Sequence, residues 1–220
     1  MRITTAMLVA ALAACATRTE RRDSAVTRRS DTDVAASGTG IPSGYTALTD
    51  DGATQPTSVR YATSGGGWEV TTGAAHIVYA AKDSARGAFT ARATFEQLEA
   101  PRHPEAYGIF VGGRNLGAAN QAYTYFIVRG TGEFAIKTRN GSQVANVVDW
   151  KASPAVAKQD SAGRATYRLA IRAGADSVRF LIGDTQVHAV RAGTVPTDGV
   201  AGLRINHNLH VRSTPIVVAR

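Results

Sequence analysis

The stretch from Tyr107 to Gly141 does most to limit what this chain can fold into. Three apolar runs, Tyr107–Val111, Tyr123–Val128 and Phe134–Thr138, are separated by Gly- and Asn-rich segments where the backbone turns at little steric cost. Runs this short, bounded this closely, are strands rather than helices. The middle one, Ala122-Tyr-Thr-Tyr-Phe-Ile-Val128, is apolar on both faces. Such a strand is either covered on both sides or has an open face that holds a ligand. Asn140-Gly141 is a hairpin signal leading into a further strand over Gln143–Trp150.

The same grammar extends in both directions. Ser58–Ser64, Trp68–Thr72 and His76–Ala81 read as short strands with Gly65-Gly-Gly67 and Thr72-Gly73 as turns. Phe89, Ala91, Ala93 and Phe95 alternate with Thr90, Arg92 and Thr94, the period of a strand with one buried face. Arg164–Arg172 alternates likewise, burying Tyr167, Leu169 and Ile171 and exposing Arg168 and Arg172. Val178, Phe180 and Ile182 continue the pattern, Gly183-Asp184 turns the chain into Gln186–Val190, and Gly199–Ile205 and Leu209–Val218 close the domain. Lys151–Asp160, with Pro154 near its front, reads as one helical turn or a loop. About twelve strands at near-regular spacing, with no long amphipathic helix, predict an all-β fold: a two-sheet antiparallel β-sandwich of jelly-roll type.

At 220 residues and 44% hydrophobic content, the chain can bury one sizeable core. The formal charge is +8; Arg2 contributes one unit and residues 16–40 a net one, which leaves +6 on the domain, scattered along many strands. That balance suits weak attraction to anionic glycans, lipid headgroups or nucleic acid. It includes no dense Lys/Arg run and no recognisable nucleic-acid-binding module, so no nucleic-acid partner is expected. Nothing indicates an oligomeric state.

Residues 1–14 carry Arg2, the apolar run Ile3–Ala14 and small residues leading to Cys15. This is the layout of an export signal, too short for a membrane span. Leu12-Ala-Ala-Cys15 resembles the lipobox of bacterial lipoproteins, which implies that Cys15 is lipidated and anchors the exported chain to a membrane. Ala16 follows it rather than an Asp, which favours the outer membrane, with the domain periplasmic or at the cell surface. Cys15 is the only cysteine, which excludes an internal disulfide and a multi-cysteine metal site. Residues 15–40 are polar, mixed in charge and poor in aromatics, the composition of a disordered tether, and residues 41–220 form the folded domain.

The succession Tyr107-Gly-Ile-Phe-Val-Gly-Gly113, Tyr123-Thr-Tyr-Phe126, Gly132-Glu-Phe-Ala-Ile136, Tyr167-Arg-Leu-Ala-Ile171, Val178-Arg-Phe180 and Gly199-Val-Ala-Gly-Leu-Arg204 resembles concanavalin A-like lectin/glucanase domains. The likeness covers roughly residues 57–218 and is greatest to the branch that holds laminin-G-like modules and 3-keto-disaccharide hydrolases. It implies a convex sheet packed behind a concave one whose open face or rim takes a saccharide. Retaining glucanases of this superfamily carry paired acids in an E-x-D-x-x-E arrangement on one strand, for nucleophile and acid/base duty. No segment here has that arrangement, and no cluster of Asp and Asn resembles a legume-lectin calcium site. No cofactor is therefore expected, calcium having no motif to hold it.

A glycan site combines aromatic rings, which stack on the C–H faces of sugars, with planar polar groups that meet hydroxyls. Tyr123, Tyr125, Trp150, Arg114, Asn115, Arg129 and Arg139 supply those types near the central strands. Tyr123 and Tyr125 point to the same side of their strand. Glu105, just before the central strands, is the first acid to consider as a catalyst. His207 and His210, three apart, fall on opposite faces of a strand unless a turn at Asn208 joins them, and so make a poor metal pair. Three functions stay open: saccharide binding without catalysis; a glycoside hydrolase or lyase of the 3-keto-disaccharide hydrolase type; and a structural or protein-binding envelope module, which would present an exposed apolar patch.

Overall fold

The computed structural model describes residues 40–54 and 56–220. The expected export signal, Cys15 and nearly all of the tether lie outside the described residues. Fifteen strands follow one another: β1 (Thr46–Thr49), β2 (Val59–Ser64), β3 (Gly67–Thr72), β4 (His76–Ala85), β5 (Phe89–Gln97), β6 (Ala106–Arg114), β7 (Ala122–Arg129), β8 (Glu133–Asn140), β9 (Gln143–Ala152), β10 (Ala165–Ala173), β11 (Ser177–Ile182), β12 (Thr185–Arg191), β13 (Gly199–Ile205), β14 (Leu209–Ser213) and β15 (Val217–Ala219). No helix occurs among the described residues, and none is therefore long and apolar enough to cross a membrane. Lys151–Asp160 is the end of β9 followed by a loop. Asp160 shapes that loop by accepting the backbone N–H groups of Ala162 and Arg164 on its carboxylate.

Two antiparallel sheets stack as a sandwich. The seven-stranded sheet runs β1-β4-β13-β6-β7-β8-β9; the eight-stranded one runs β12-β11-β10-β5-β14-β3-β2, with β15 also paired to β5. The last predicted strand is split in two. Thr214 Oγ1 accepts the Thr94 N–H in place of a backbone partner, and Pro215, which has no N–H, ends the pairing before β15 resumes it. The β8–β9 hairpin turns one residue later than the Asn-Gly pair suggests. Asn140 still pairs with Gln143, and Gly141 takes the first corner with φ +60°, leaving Ser142 at ordinary φ, the pattern of a Gly-X hairpin loop.

Alternation fills the space between the sheets. Phe89, Ala91, Ala93 and Phe95 from β5 and Tyr167, Leu169 and Ile171 from β10 meet Tyr107, Ile109, Phe126, Val128, Phe134 and Ile136 from the opposite sheet, all buried. His76 lies in this interior: its Nδ1–H donates to the Ala74 carbonyl, 3.1 Å away, leaving Nε2 to accept the Tyr61 hydroxyl at 2.7 Å. Both ring nitrogens are thus satisfied in the neutral imidazole, and burial pushes its pKa down to about 4. The alternate residues of β6, β7 and β8 point the other way, onto the outer face of the seven-stranded sheet. A second apolar cluster lies there, made of Leu48, Ile77, Phe110, Tyr123, Tyr125 and Ile127, with Tyr79, Leu116 and Trp150 packed at its margin.

Candidate functional site

That outer face is built from the register of its central strands. Tyr123 pairs with Arg139, Tyr125 with Lys137, Ile127 with Ala135, and Arg129 with Glu133, so these side chains emerge together. Gly202 and Arg204 of β13 stand opposite Phe110 and Gly108 of β6 on the same side. Gly108 has to be glycine: a Cβ there would meet the Phe126 carbonyl oxygen at 2.0 Å.

Of the seven side chains that the sequence nominates for ligand binding, Tyr123, Tyr125, Arg129, Arg139 and Trp150 share this face. Arg114 and Asn115 do not. The ladder between β6 and β7 is interrupted at Gly112, where φ is +70° and a Cβ would sit 2.5 Å from the Pro196 carbonyl oxygen; pairing resumes at Arg114 opposite Ala122, one residue out of register, which turns Arg114 to the other side of the sheet. Arg114 is exposed and donates from Nε to the Asp198 carbonyl at 3.0 Å; Asn115 is exposed in the following turn with φ +50°.

The tyrosine rings are largely committed to packing. Tyr123 is 2% and Tyr125 7% exposed, with ring centroids 5.6 Å apart and Tyr123 5.4 Å from Phe110. Burial pushes the Tyr125 hydroxyl up to about 12. Trp150, at the β9 end, is only partly buried. The Arg129 guanidinium lies 4.2 Å from its ring centroid and the Lys137 ammonium 5.9 Å away. Arg129 is held by Glu133 at 2.7 Å, whereas Lys137 has no carboxylate at ion-pair distance among the described residues.

Two residues that sequence reasoning passed over organise the rest. Arg204 is 7% exposed and donates from both terminal nitrogens to Asp50, Nη1 to Oδ1 and Nη2 to Oδ2, each at 2.6 Å. Asp50 follows β1, and its Oδ1 also accepts Arg139 Nη1 at 2.8 Å. Partial burial opposes ionisation of Asp50, but the hydrogen bonds and charge of Arg204, then those of Arg139, outweigh it and hold the carboxyl below its usual range. The loop after β1 is thereby tied down beside Tyr125, whose ring lies 5.7 Å from the Arg204 guanidinium. Arg204 carried a readable signal. It is a charge inside the apolar strand Val200–Ile205, and such a side chain needs a partner.

From Arg204 the polar chain continues to the edge of the face. Its Nε donates to Asn206 Oδ1 at 3.2 Å, and Asn206 Nδ2 donates to Glu105 Oε2 at 3.4 Å. Glu105, 8% exposed, also stands 3.1 Å from His207 Nδ1. Burial pushes the Glu105 carboxyl up, against the pull of His207, the Asn206 amide, His103 and Arg204. His210 is elsewhere, between Glu69 at 2.8 Å and Glu99 at 3.3 Å. Among the described residues no group of three or more His, Cys, Asp and Glu is placed to hold a metal ion.

No family model and no curated protein matches the sequence. Solved structures do match the fold. A Bacillus subtilis protein of unknown function with a galectin-like fold is 13% identical, with a TM-score of 0.58 over 80% of this chain and 88% of that one. The carbohydrate-binding module CBM66 from Bacillus subtilis is 12% identical, with a TM-score of 0.56 over 84% of this chain and all of the module. A glycoside hydrolase family 16 endo-glucanase from Bacteroides ovatus is 6% identical, with a TM-score of 0.56 over 81% and 96%. Likeness at such identities is one of architecture, and it makes this domain a jelly-roll sandwich of the concanavalin A-like kind.

Proposed function

We propose that the domain binds carbohydrate on the outer face of the seven-stranded sheet, without turning its ligand over, and that a lipid on Cys15 holds it at the cell envelope. The observation that carries the binding site is Trp150, an aromatic ring partly open to solvent and flanked by Arg129 and Lys137 on a face that Arg139 and the edge of Tyr125 extend. Such a ring meets the C–H face of a pyranose while the cationic groups donate to its hydroxyls. The solved structures of similar fold include a carbohydrate-binding module and an endo-glucanase captured with a saccharide, which supports the reading. The two carboxylates among these side chains, Asp50 and Glu133, are both ion-paired to arginines, a role of orienting donors rather than transferring protons. Large apolar side chains that are strongly exposed are Val144 and Val217 among the described residues, on different sheets, which disfavours a broad protein-docking patch.

A thermal-shift screen of neutral and oxidised oligosaccharides, with and without calcium, tests the binding. A saccharide that binds the folded state raises the melting temperature by mass action. The rise is expected to vanish in Trp150→Ala, and silence across the panel would end the proposal. Labelling with a radioactive fatty acid tests the anchor, with incorporation expected in the natural chain and none in Cys15→Ser.

One observation favours a second reading. Glu105 is a shielded acid in contact with His207, a pairing able to exchange protons with a substrate, as a hydrolase or lyase acting on 3-keto-glycosides requires. Turnover of such a glycoside that Glu105→Gln abolishes would replace the non-catalytic reading.

A further inference from the structure

The outer face of the eight-stranded sheet carries a separate feature. Arg92 of β5, Arg168 and Arg172 of β10, Arg179 of β11 and Arg191 of β12 are exposed and lie at alternating positions, so they emerge from one side of four adjacent strands. Register brings them close. Arg172 is directly opposite Arg179, and Arg92 is opposite Ala170, diagonal to both Arg168 and Arg172. Directly opposed side chains on one face have Cβ atoms about 5 Å apart, and like charges placed there repel.

Nearby acids do little to relieve that repulsion. Asp184 reaches Arg168 at 3.4 Å, with both side chains mostly in water. Glu96 is engaged by Arg212 at 2.6 Å, and Glu69 and Glu99 by His210. Arg92, Arg172, Arg179 and Arg191 have no carboxylate at ion-pair distance among the described residues. A shallow depression of about 390 Å³ lies between Arg92, Arg168 and Arg172, lined by Thr90, Thr94 and Thr214 and walled by the exposed Val217.

We infer that this face is a docking surface for an anionic lipid bilayer. The arginines form a two-dimensional array on one sheet rather than a line along a groove, which suits a plane of phosphate headgroups better than a single extended polyanion. Guanidinium forks match phosphate oxygens, and Val217 offers an apolar contact at the level of the headgroups. This inference is independent of the saccharide reading, which concerns the opposite sheet.

The test uses the full chain carrying Cys15→Ser, so that no acyl chain contributes, sedimented with vesicles of phosphatidylcholine alone or mixed with phosphatidylglycerol. Binding is expected to the mixed vesicles, not to the neutral ones, and to fade as salt shortens the range of the attraction. Each arginine near an anionic surface contributes about fivefold in affinity. Arg172→Gln/Arg179→Gln should therefore weaken binding about thirtyfold, and Arg92→Gln/Arg168→Gln by a similar factor. Lys82→Gln/Arg86→Gln, which removes the same charge from β4 and the turn after it, should leave binding within about twofold, because screening confines the attraction to groups near the surface. Each variant is accepted once its melting temperature matches the parent. The inference fails if the anionic vesicles are not bound, if all three double variants lose affinity equally, or if heparin or RNA is bound and the vesicles are not.

Discussion

Replacing Asp50 by Asn tests how the candidate binding face is held together. The carboxylate accepts both terminal nitrogens of Arg204 and one of Arg139, whose side chains are 8% and 11% exposed. Asn keeps the shape but loses the charge, and its amide presents N–H groups to a guanidinium that has only donors. Removing one partner of a fully buried ion pair costs about 3–5 kcal/mol, because the other charge is left uncompensated. Asp50 is itself 45% exposed, so water replaces part of what is lost. The expected cost is then about 2 kcal/mol, which for a domain of this size lowers the melting temperature by about 4–8 °C. Urea unfolding of Asp50→Asn, Arg204→Met and the double variant measures it. Arg204→Met removes the stranded charge and fills the space with an apolar chain, so the double variant should be less destabilised than the sum of the singles, with a coupling above about 1 kcal/mol. Additive singles, or a loss below about 0.5 kcal/mol for Asp50→Asn, would refute the claim that this pair ties the loop after β1 to the sheet.

Three further outcomes follow from the interior and the edge of the face. The His76 pKa is depressed to about 4, so the unfolded chain takes up that proton first as pH falls; stability should decline from pH 6.5 to 4 by up to about 3 kcal/mol, and His76→Gln should flatten that slope in urea titrations at successive pH values. Glu105 is shifted the other way: its carboxyl should titrate above the usual midpoint in a carbon-detected NMR experiment, and higher still in His207→Ala, where the opposing pull of the imidazole is gone; an ordinary midpoint would contradict the burial described for it. Gly108→Ala should lower stability by several kcal/mol, since the added methyl carbon would meet a backbone oxygen at 2.0 Å that only a shift of β7 can relieve; a melting temperature equal to that of the parent would show that the strands are not so close.

Much of the fold was legible because its signals are local. The alternation of Phe89 to Phe95 and of Arg164 to Arg172 reads directly as strands with one buried face, and the structure places those residues as expected in β5 and β10. The shared face of Tyr123 and Tyr125 follows from the period of a strand in the same way. Illegible were the features made by residues far apart in the chain. The short strand β1 has little pattern of its own and exists because it pairs with β4. Asp50 lies in a turn that gives no sign of its partner, which comes 154 residues later. Its contacts, with the neighbouring rings, leave Tyr123 and Tyr125 buried where composition suggested an open stacking platform. Arg114 and Asn115 looked adjacent to the site, but the bulge at Gly112 shifts the register so that Arg114 pairs from the other side of its strand and Asn115 follows in a turn, and an isolated Gly-Gly pair does not say where such a bulge falls.

The central claim, that Trp150 and its cationic neighbours receive a saccharide, is tested most directly by calorimetric titration of an oligosaccharide selected in the thermal screen into the natural chain and into Trp150→Ala. The account predicts saturable binding to the natural chain, and about a tenfold or greater loss of affinity in the variant at an unchanged fold, as expected when a stacking ring is removed. Equal affinity in the two proteins would place the ligand elsewhere and contradict the site proposed here.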